Sequence, residues 1–188
     1  MEGIRKICDD NDIIMICDEI QCGMGRTGKM YAFQHYNVKP DIITTAKALG
    51  CGVPVGAFVA GEKCCDSLVP GDHGTTYGGN PLATAAVSKV FDLFEEMNIL
   101  EHVNEVSNYL EEQLDKLVEQ YDNVVARRGK GLMQGLVLTT PVIDTVNKAI
   151  DKGLLVISAG SDVLRMVPPL VITKENVDEM IEILSQCL

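Results

Sequence analysis

Ile13-Ile14-Met15-Ile16-Cys17-Asp18 decides the fold, because it is a continuous apolar run that ends on a carboxylate. A short run of this kind is typical of a strand that is covered on both faces of a parallel sheet. We predict a strand over 13–17, and two similar runs predict strands over 41–45 and 56–60. Around these strands the sequence predicts helices over 2–10, 31–36 and 82–97, the last of them opened by Asn80-Pro81.

The pattern changes after residue 97 and predicts a smaller α+β unit. Apolar residues recur at spacings of three and four through 101–120, which predicts a long helix with one apolar face. Strands are predicted over 132–138, 154–158 and 163–167, and helices over 142–151 and after an N-cap at Thr173. We therefore expect an α/β fold in two parts, a layer with parallel strands over 1–97 and an α+β domain over 98–188.

The chain of 188 residues is acidic, with a formal net charge of −11. Nucleic-acid binding requires a basic face, so this charge argues against it and favours small-molecule ligands. No apolar stretch reaches the roughly 20 residues of a membrane span, and the N-terminus lacks the apolar core of a signal peptide. We predict a cytoplasmic protein without membrane or nucleic-acid partners.

The seven cysteines are odd in number and irregular in spacing, which predicts reduced thiols rather than a disulfide framework. Cys17 and Cys22 are not separated by a metal-ligand spacing, and no histidine pair completes such a site. We predict no metal site.

Gly23-Met24-Gly25-Arg26-Thr27-Gly28 matches G-x-G-x-x-G, and with Lys29 it also matches G-x-x-x-x-G-K. A dinucleotide-binding turn would follow its strand directly and precede an acidic residue by about 20 positions, and neither condition is met. A P-loop would carry Ser or Thr after the lysine, where this chain has Met30. The favoured interpretation is a tight surface turn in which glycines permit positive φ.

Lys47 lies among small residues directly after a predicted strand, in Thr44-Thr45-Ala46-Lys47-Ala48-Leu49-Gly50. Such a lysine can form an imine with an aldehyde cofactor, and a carboxylate at a strand end, like Asp18, can keep a pyridine nitrogen protonated. Each residue alone has an ordinary alternative, a solvated surface lysine and a strand-end cap. Together they predict pyridoxal phosphate (PLP) chemistry.

Four motifs follow one another along the chain, at 18–28, 46–57, 74–81 and 164–170. They resemble, in this order, the D-E-(V/I)-Q-x-G-x-G-R-T-G signature, the lysine segment, the partner-subunit loop and the C-terminal arginine motif of class III (ornithine-type) aminotransferases. The resemblance implies a PLP-transferase fold of the aspartate aminotransferase type I kind. Residues 1–97 would be the C-terminal portion of the large PLP-binding domain, and 98–188 the small domain.

The resemblance also implies a role for each matching residue. Lys47 would hold the cofactor covalently and move the substrate's proton, while Asp18 would pair with the ring nitrogen. Gln21 would bind the cofactor's phenolic oxygen, with Glu19 and Ile20 beside it. Thr76 would bind the phosphate of the neighbouring subunit's cofactor in a homodimer. Thr75 and Arg165 would bind substrate, the arginine gripping a carboxylate with a bidentate fork.

Two of these residues have structural alternatives that stay open. Arg165 could be an ion-pair partner, and Thr76 could cap the helix that follows it. His35 and His73 are interpreted as surface and loop residues.

The implied reaction is transfer of an amino group to 2-oxoglutarate. Within the family, the chain most resembles members that act on N-acetylornithine. The segments that carry this resemblance are Gly71-Asp72-His73-Gly74, Gly153-Leu154-Leu155 and Ala159-Gly160. Ornithine, succinylornithine and 4-aminobutyrate are alternative donors. A noncatalytic dimerisation or interaction module and a nucleotide-binding P-loop protein are alternatives of other classes.

Members of this family are about twice as long, and their first half supplies the cofactor's phosphate cradle, a stacking aromatic residue and a substrate arginine. Nothing before Asp18 can supply those parts. We therefore expect a C-terminal fragment that binds PLP weakly, turns over little or nothing alone, and self-associates through uncovered strand edges.

Overall fold

In the computed structural model, which describes residues 1–188, the chain divides into two units, Met1–Ile99 and Leu100–Leu188. The first unit has a three-stranded sheet in the order β1-β2-β3. Strands β1 and β2 are parallel, and β3 is antiparallel to β2. In chain order the elements are α1 (Glu2–Asp10), β1 (Ile16–Asp18), a 3₁₀-helix (Ala32–His35), β2 (Ile42–Thr45), a second 3₁₀-helix (Lys47–Leu49), β3 (Ala57–Ala60) and α2 (Pro81–Glu96).

The Asp41 carboxylate fixes the start of the parallel pair. Its Oδ2 accepts hydrogen bonds from the Met15 backbone N–H at 2.7 Å and from Arg5 Nη1 of α1 at 2.9 Å. The Met15 carbonyl in turn accepts from the backbone N–H groups of Asp41 and Ile42. Helix α1, β1 and β2 are thereby joined at one point, which sets the register Ile16↔Ile42.

A small apolar cluster lies elsewhere in the first unit, around Met24, Leu49 and Val90 of α2. Met24 is almost fully buried, so the glycine-rich turn is packed into the unit rather than exposed. The predicted turn is present, with Gly25 and Gly28 at positive φ, but its predicted surface position is wrong because Met24 anchors it inside.

The second unit is a four-stranded antiparallel sheet, in the order β4-β5-β7-β6, with three helices. Its buried apolar residues include the face of α3 predicted from the sequence, Val103, Val106, Leu110, Leu114 and Leu117. The elements are α3 (Ile99–Gln120), β4 (Val124–Lys130), β5 (Met133–Leu138), α4 (Val142–Asp151), β6 (Ile157–Ala159), β7 (Val163–Met166) and α5 (Lys174–Ser185).

Three details of the sequence prediction need correction. Strand β1 begins at Ile16 rather than at residue 13, and its side chains are not covered, since Ile16 is 59% exposed. Strand β4 was not predicted, because Arg127-Arg128-Gly129-Lys130 is polar; it forms by pairing with β5. The strand predicted over 154–158 begins only at Ile157.

The seven thiols are all free.

The longest helix, α3, is rich in charged residues, and none of the five α-helices has both the length and the apolar composition needed to cross a bilayer.

The pKa of Asp41 is lowered, first by the Met15 N–H and then by Arg5, so the ionised carboxylate stabilises the fold. This contribution is fully present above the usual aspartate pKa of about 3.9 and disappears as the pH falls through the lower folded-state value. We expect Asp41→Asn to lower the urea midpoint at pH 7, with the gap to the unsubstituted chain closing towards pH 2.

Asp151→Asn, at an exposed carboxylate of α4, is the matched control and should leave the midpoint unchanged. A gap at Asp41 that stays constant from pH 7 to pH 2 would show that the charge contributes nothing.

Candidate functional site

The carboxyl ends of β1 and β2 bring Asp18 and Lys47 to the same end of the sheet. Asp18 is the last residue of β1 and pairs in register with Thr44 of β2. Lys47 follows Thr44 by three residues, just beyond the end of β2. Because parallel strands end at the same side of a sheet, this is where ligands of open α/β sheets commonly bind.

One oxygen of the Asp18 carboxylate is fully engaged, and the other is not. Its Oδ1 accepts hydrogen bonds from the Ile20 backbone N–H and from Thr44 Oγ1, each at 3.0 Å. These two donors fix the orientation of an exposed carboxylate and leave its Oδ2 without a protein donor. An oriented carboxylate with one available oxygen can accept a hydrogen bond from a protonated ring nitrogen.

Lys47 adopts a left-handed backbone conformation, with φ of 49°. Non-glycine residues rarely adopt positive φ, and such strain is concentrated at functional sites. The residue starts a short 3₁₀-helix after the extended Ala46, and its carbonyl accepts from the Gly50 N–H. A Cβ at Gly50 would lie 2.2 Å from the Val53 carbonyl oxygen, so the turn after Lys47 requires glycine.

The Lys47 side chain is exposed and makes no ion pair or hydrogen bond within the chain. A long cation held by a strained backbone without a protein partner is available to a ligand. Asp18 and Lys47 thus lie beyond the same end of the sheet, and their pairing around a cofactor stays a prediction.

Glu19, predicted to contact a cofactor, uses its carboxylate inside the protein. Its side chain is 2% exposed, and its two oxygens accept from the backbone N–H groups of Ala32 and Phe33 at 2.9 and 2.8 Å. Cys22 Sγ also donates to it at 3.0 Å. Glu19 thereby caps the 3₁₀-helix Ala32–His35 and fixes the chain that follows Asp18.

Gln21 is exposed and makes no side-chain hydrogen bond in the chain, while Ile20 is half-buried. The Cys22 thiol beside them also contacts the Asp18 carbonyl, at 3.4 Å. Burial, and then the hydrogen bond to Glu19, raise the pKa of Cys22 to about 12. This thiol is a neutral donor at physiological pH.

Thr75 and Thr76 lie in an exposed segment, residues 66–79, and are not brought near Asp18 by any contact within the chain. Thr75 Oγ1 accepts from the Gly78 N–H at 3.1 Å. Asn80, not Thr76, caps α2, because its side chain accepts from the Ala83 N–H.

Arg165 lies on β7 in the second unit and makes no ion pair, and its buried Nε has no hydrogen-bond partner. The ion-pair alternative for this arginine finds no support within the chain.

Sequence reasoning missed Thr44, whose hydroxyl orients Asp18. The signal was the threonine pair at the end of the predicted strand over 41–45. The sequence alone does not tell which threonine lies beside Asp18, because that depends on the register Asp18↔Thr44.

No cluster of three or more His, Cys, Asp or Glu side chains that could hold a metal ion is present in residues 1–188.

The model of the family "Aminotransferase class-III" matches residues 1–188, which is the whole chain. The chain belongs to the class-III aminotransferase family. The acetylornithine aminotransferase of Methanocaldococcus jannaschii is 46% identical over 186 residues, 99% of this chain and 47% of the relative. This chain thus spans about half the length of the curated relatives it matches.

Solved structures of this family share the fold. The ornithine aminotransferase of Plasmodium yoelii superimposes with a TM-score of 0.93 at 34% identity, over 99% of this chain and 50% of its own. A taurine:2-oxoglutarate aminotransferase from Bifidobacterium kashiwanohense, solved with PLP and glutamate, gives 0.93 at 33% identity over all of this chain and 46% of its own. The predicted α/β fold of the PLP-transferase kind is confirmed.

The residues present fit PLP, the cofactor of this family. Asp18 has an oriented carboxylate with one free oxygen, and Lys47 has an unpaired amine at the same sheet end. These are two of the groups that hold such a cofactor, a lysine for its aldehyde and a carboxylate for its ring nitrogen.

Replacing Glu19 tests its role in fixing the loop after Asp18. Glu19→Gln turns one acceptor into an NH₂ group that faces backbone donors, so we expect a loss of about 1–3 kcal/mol in the free energy of unfolding. Amide hydrogen exchange at Ala32 and Phe33 should accelerate.

Glu119→Gln, at an exposed position of α3, is the control and should change neither quantity. Unchanged exchange at Ala32 and Phe33 in the Glu19 variant would contradict the capping role.

Proposed function

We propose that this chain is the catalytic-lysine-bearing portion of a PLP-dependent aminotransferase that moves an amino group from N-acetylornithine to 2-oxoglutarate. One observation carries the proposal: Asp18 and Lys47 at the shared carboxyl end of β1 and β2. The family membership and the names of the relatives at 41–47% identity support it.

PLP, when bound, supplies an electron sink that stabilises negative charge on the substrate carbon. Asp18 would keep the ring nitrogen protonated by accepting its hydrogen bond, and the Thr44 hydroxyl and Ile20 N–H hold the carboxylate in place. The Lys47 amine would hold the aldehyde group covalently and, once the substrate amine has displaced it, would be free to take the proton from the substrate carbon. Gln21 donates to the phenolic oxygen.

The remaining roles belong to residues outside this sheet end. Arg165 holds the substrate carboxylate with a bidentate fork, which its unpartnered Nε leaves it free to form. Thr75 contacts the substrate, and Thr76 donates to the cofactor phosphate of a second subunit. Their exposure in residues 66–79 is consistent with contacts made outside the chain.

The first unit corresponds, in this proposal, to the C-terminal portion of the large PLP-binding domain over 1–97, and the second to the small domain over 98–188. The complete assembly is a cytoplasmic homodimer. The chain alone, which spans about half of its relatives, binds PLP weakly and has little or no turnover.

A noncatalytic interaction module is the second candidate. Exposed apolar residues on α1 and β1, among them Ile4, Ile7 and Ile16, favour it. The two candidates differ in whether Lys47 reacts with the cofactor.

Borohydride reduction separates these candidates. We expect saturating PLP, followed by reduction and peptide mass mapping, to place a pyridoxyl group on Lys47, because its amine has no internal partner. Lys47→Arg should abolish this adduct. Lys29→Arg, at another exposed lysine, should leave it unchanged.

Absence of a saturable adduct on Lys47 would favour the interaction module. ATP binding that depends on Lys29 would instead support the P-loop alternative.

Substrate choice is tested in the chain completed with the remaining half of the M. jannaschii relative. We expect N-acetylornithine to give a higher kcat/KM than ornithine, succinylornithine or 4-aminobutyrate. Arg165→Gln should raise the KM for 2-oxoglutarate by roughly 10²-fold, since a charge-assisted bidentate contact of about 3 kcal/mol is lost.

Arg128→Gln, at an exposed arginine of β4, is the matched control. Equal KM values for the two arginine variants would remove Arg165 from the substrate site, and preference for another amine would revise the donor.

A further inference from the structure

Two adjacent cysteines, Cys64 and Cys65, lie on a short turn that follows β3. Both are free thiols, and Cys65 is exposed while Cys64 is half-buried. Their backbone N–H groups both donate to the Gly61 carbonyl, at 2.9 and 3.0 Å. The two side chains therefore start from neighbouring positions of one tight turn, and we call them the vicinal thiol pair.

The turn that carries the vicinal thiol pair is fastened to the rest of the first unit just before the two thiols. The Gly61 backbone N–H donates to the Asp41 carbonyl at 2.7 Å, and the Lys63 ammonium pairs with Asp12 Oδ1 at 2.7 Å. These contacts hold the pair at a defined position on the surface. A ligand that binds both thiols therefore orders little additional backbone, which lowers the entropic cost of binding.

The spacing of the vicinal thiol pair disfavours a disulfide between its members. The Cα atoms of adjacent residues lie about 3.8 Å apart across a trans peptide, whereas bridged cysteines usually have Cα atoms about 4.4–6.8 Å apart. Neighbouring side chains of a helical turn also point in different directions. The pair therefore stays a dithiol, and a longer S–X–S bridge through a third atom suits it better than a direct S–S bond.

The number of ligands that the pair offers indicates which atom can bridge it. Thiolates bind zinc, but a structural zinc site takes four protein ligands, and no third His, Cys, Asp or Glu side chain joins this pair in a metal-binding group. Trivalent arsenic with one organic substituent has two valences left, which two thiols complete. Its pyramidal geometry places both sulfurs on one side of the atom, whereas a two-coordinate metal ion would need them on opposite sides.

The other five thiols lack this arrangement. Cys8 and Cys187 are buried, and the pKa values of Cys17 and Cys22 are raised, in both cases first by burial. A raised pKa lowers the fraction of thiolate, which is the form that attacks. Cys51 is exposed but has no cysteine beside it in the sequence, so it can bind arsenic by one bond only.

We propose that Cys64 and Cys65 form a binding site for trivalent organic arsenic compounds. Each sulfur forms one As–S bond, the oxygen bound to arsenic leaves as water with the two thiol protons, and neither arsenic nor sulfur is oxidised or reduced. The second bond forms within the complex, at a high effective concentration of thiol, so the chelate outlasts an adduct on a single cysteine. The site uses neither Asp18 nor Lys47 and is independent of the proposed aminotransferase function.

Phenylarsine oxide, added in equimolar amount to the reduced chain, tests the proposal. Excess 2-mercaptoethanol then displaces adducts that are held by one thiol. We expect a single phenylarsenic group to remain by intact mass spectrometry, with two of the seven thiols no longer titratable. Trypsin cleavage after Lys63 and Lys89 should place this group on peptide 64–89, which contains both thiols of the pair and no other cysteine.

Cys64→Ser and Cys65→Ser should each lower the retained fraction by at least about tenfold, because the second As–S bond cannot form. The only side-chain hydrogen bond at stake is a weak one, from Cys65 Sγ to the Glu62 carbonyl at 3.5 Å, so the fold should persist in both variants. Cys51→Ser, at the other exposed cysteine, is the matched control and should retain the group like the unsubstituted chain.

Three results would overturn the proposal. These are loss of the phenylarsenic group from the unsubstituted chain on addition of 2-mercaptoethanol, its retention by either variant of the pair, and its location on a peptide outside residues 64–89. None of these measurements involves PLP or turnover, so their failure is separate from failure of the aminotransferase proposal.

Discussion

Parallel pairing of β1 with β2 is the constraint on which the candidate site depends. The Asp41 carboxylate fixes the start of this pair by binding Met15 and Arg5 together. With the register set, Asp18 must lie opposite Thr44, and Lys47 must emerge just beyond it. The chemistry of the site is thus positioned by a carboxylate at the opposite end of the same two strands.

The site is also shaped by residues that do not face a ligand. Glu19 binds two backbone N–H groups and a thiol, which fixes the chain directly after Asp18. Met24 anchors the glycine-rich turn in the apolar cluster with Leu49, so the segment after Asp18 and the 3₁₀-helix of Lys47 share one small core. Adjacent residues in one motif therefore differ: both carboxylate oxygens of Glu19 are bound inside the protein, whereas one oxygen of Asp18 has no protein donor.

Local patterns predicted most helices, because apolar periodicity and capping residues act over a few positions. Helix α4 has the predicted bounds, and Thr173 caps α5 through a capping box with Asn176. Strand β4 was missed because it depends on pairing with β5 rather than on its own polar sequence. The roles of Thr44 and Glu19 were missed for a similar reason, since both depend on partners 13 to 26 positions away.

The protonated thiol of Cys22 has a consequence for selectivity between nucleophiles. The sulfur is bonded to the Asp18 carbonyl and to the Glu19 carboxylate, and only its thiolate form would be a strong nucleophile. With a pKa of about 12, Cys22 contributes almost no thiolate at neutral pH. Cys22 therefore stays a hydrogen-bond donor to Glu19 and is a poor competitor of amines for electrophiles.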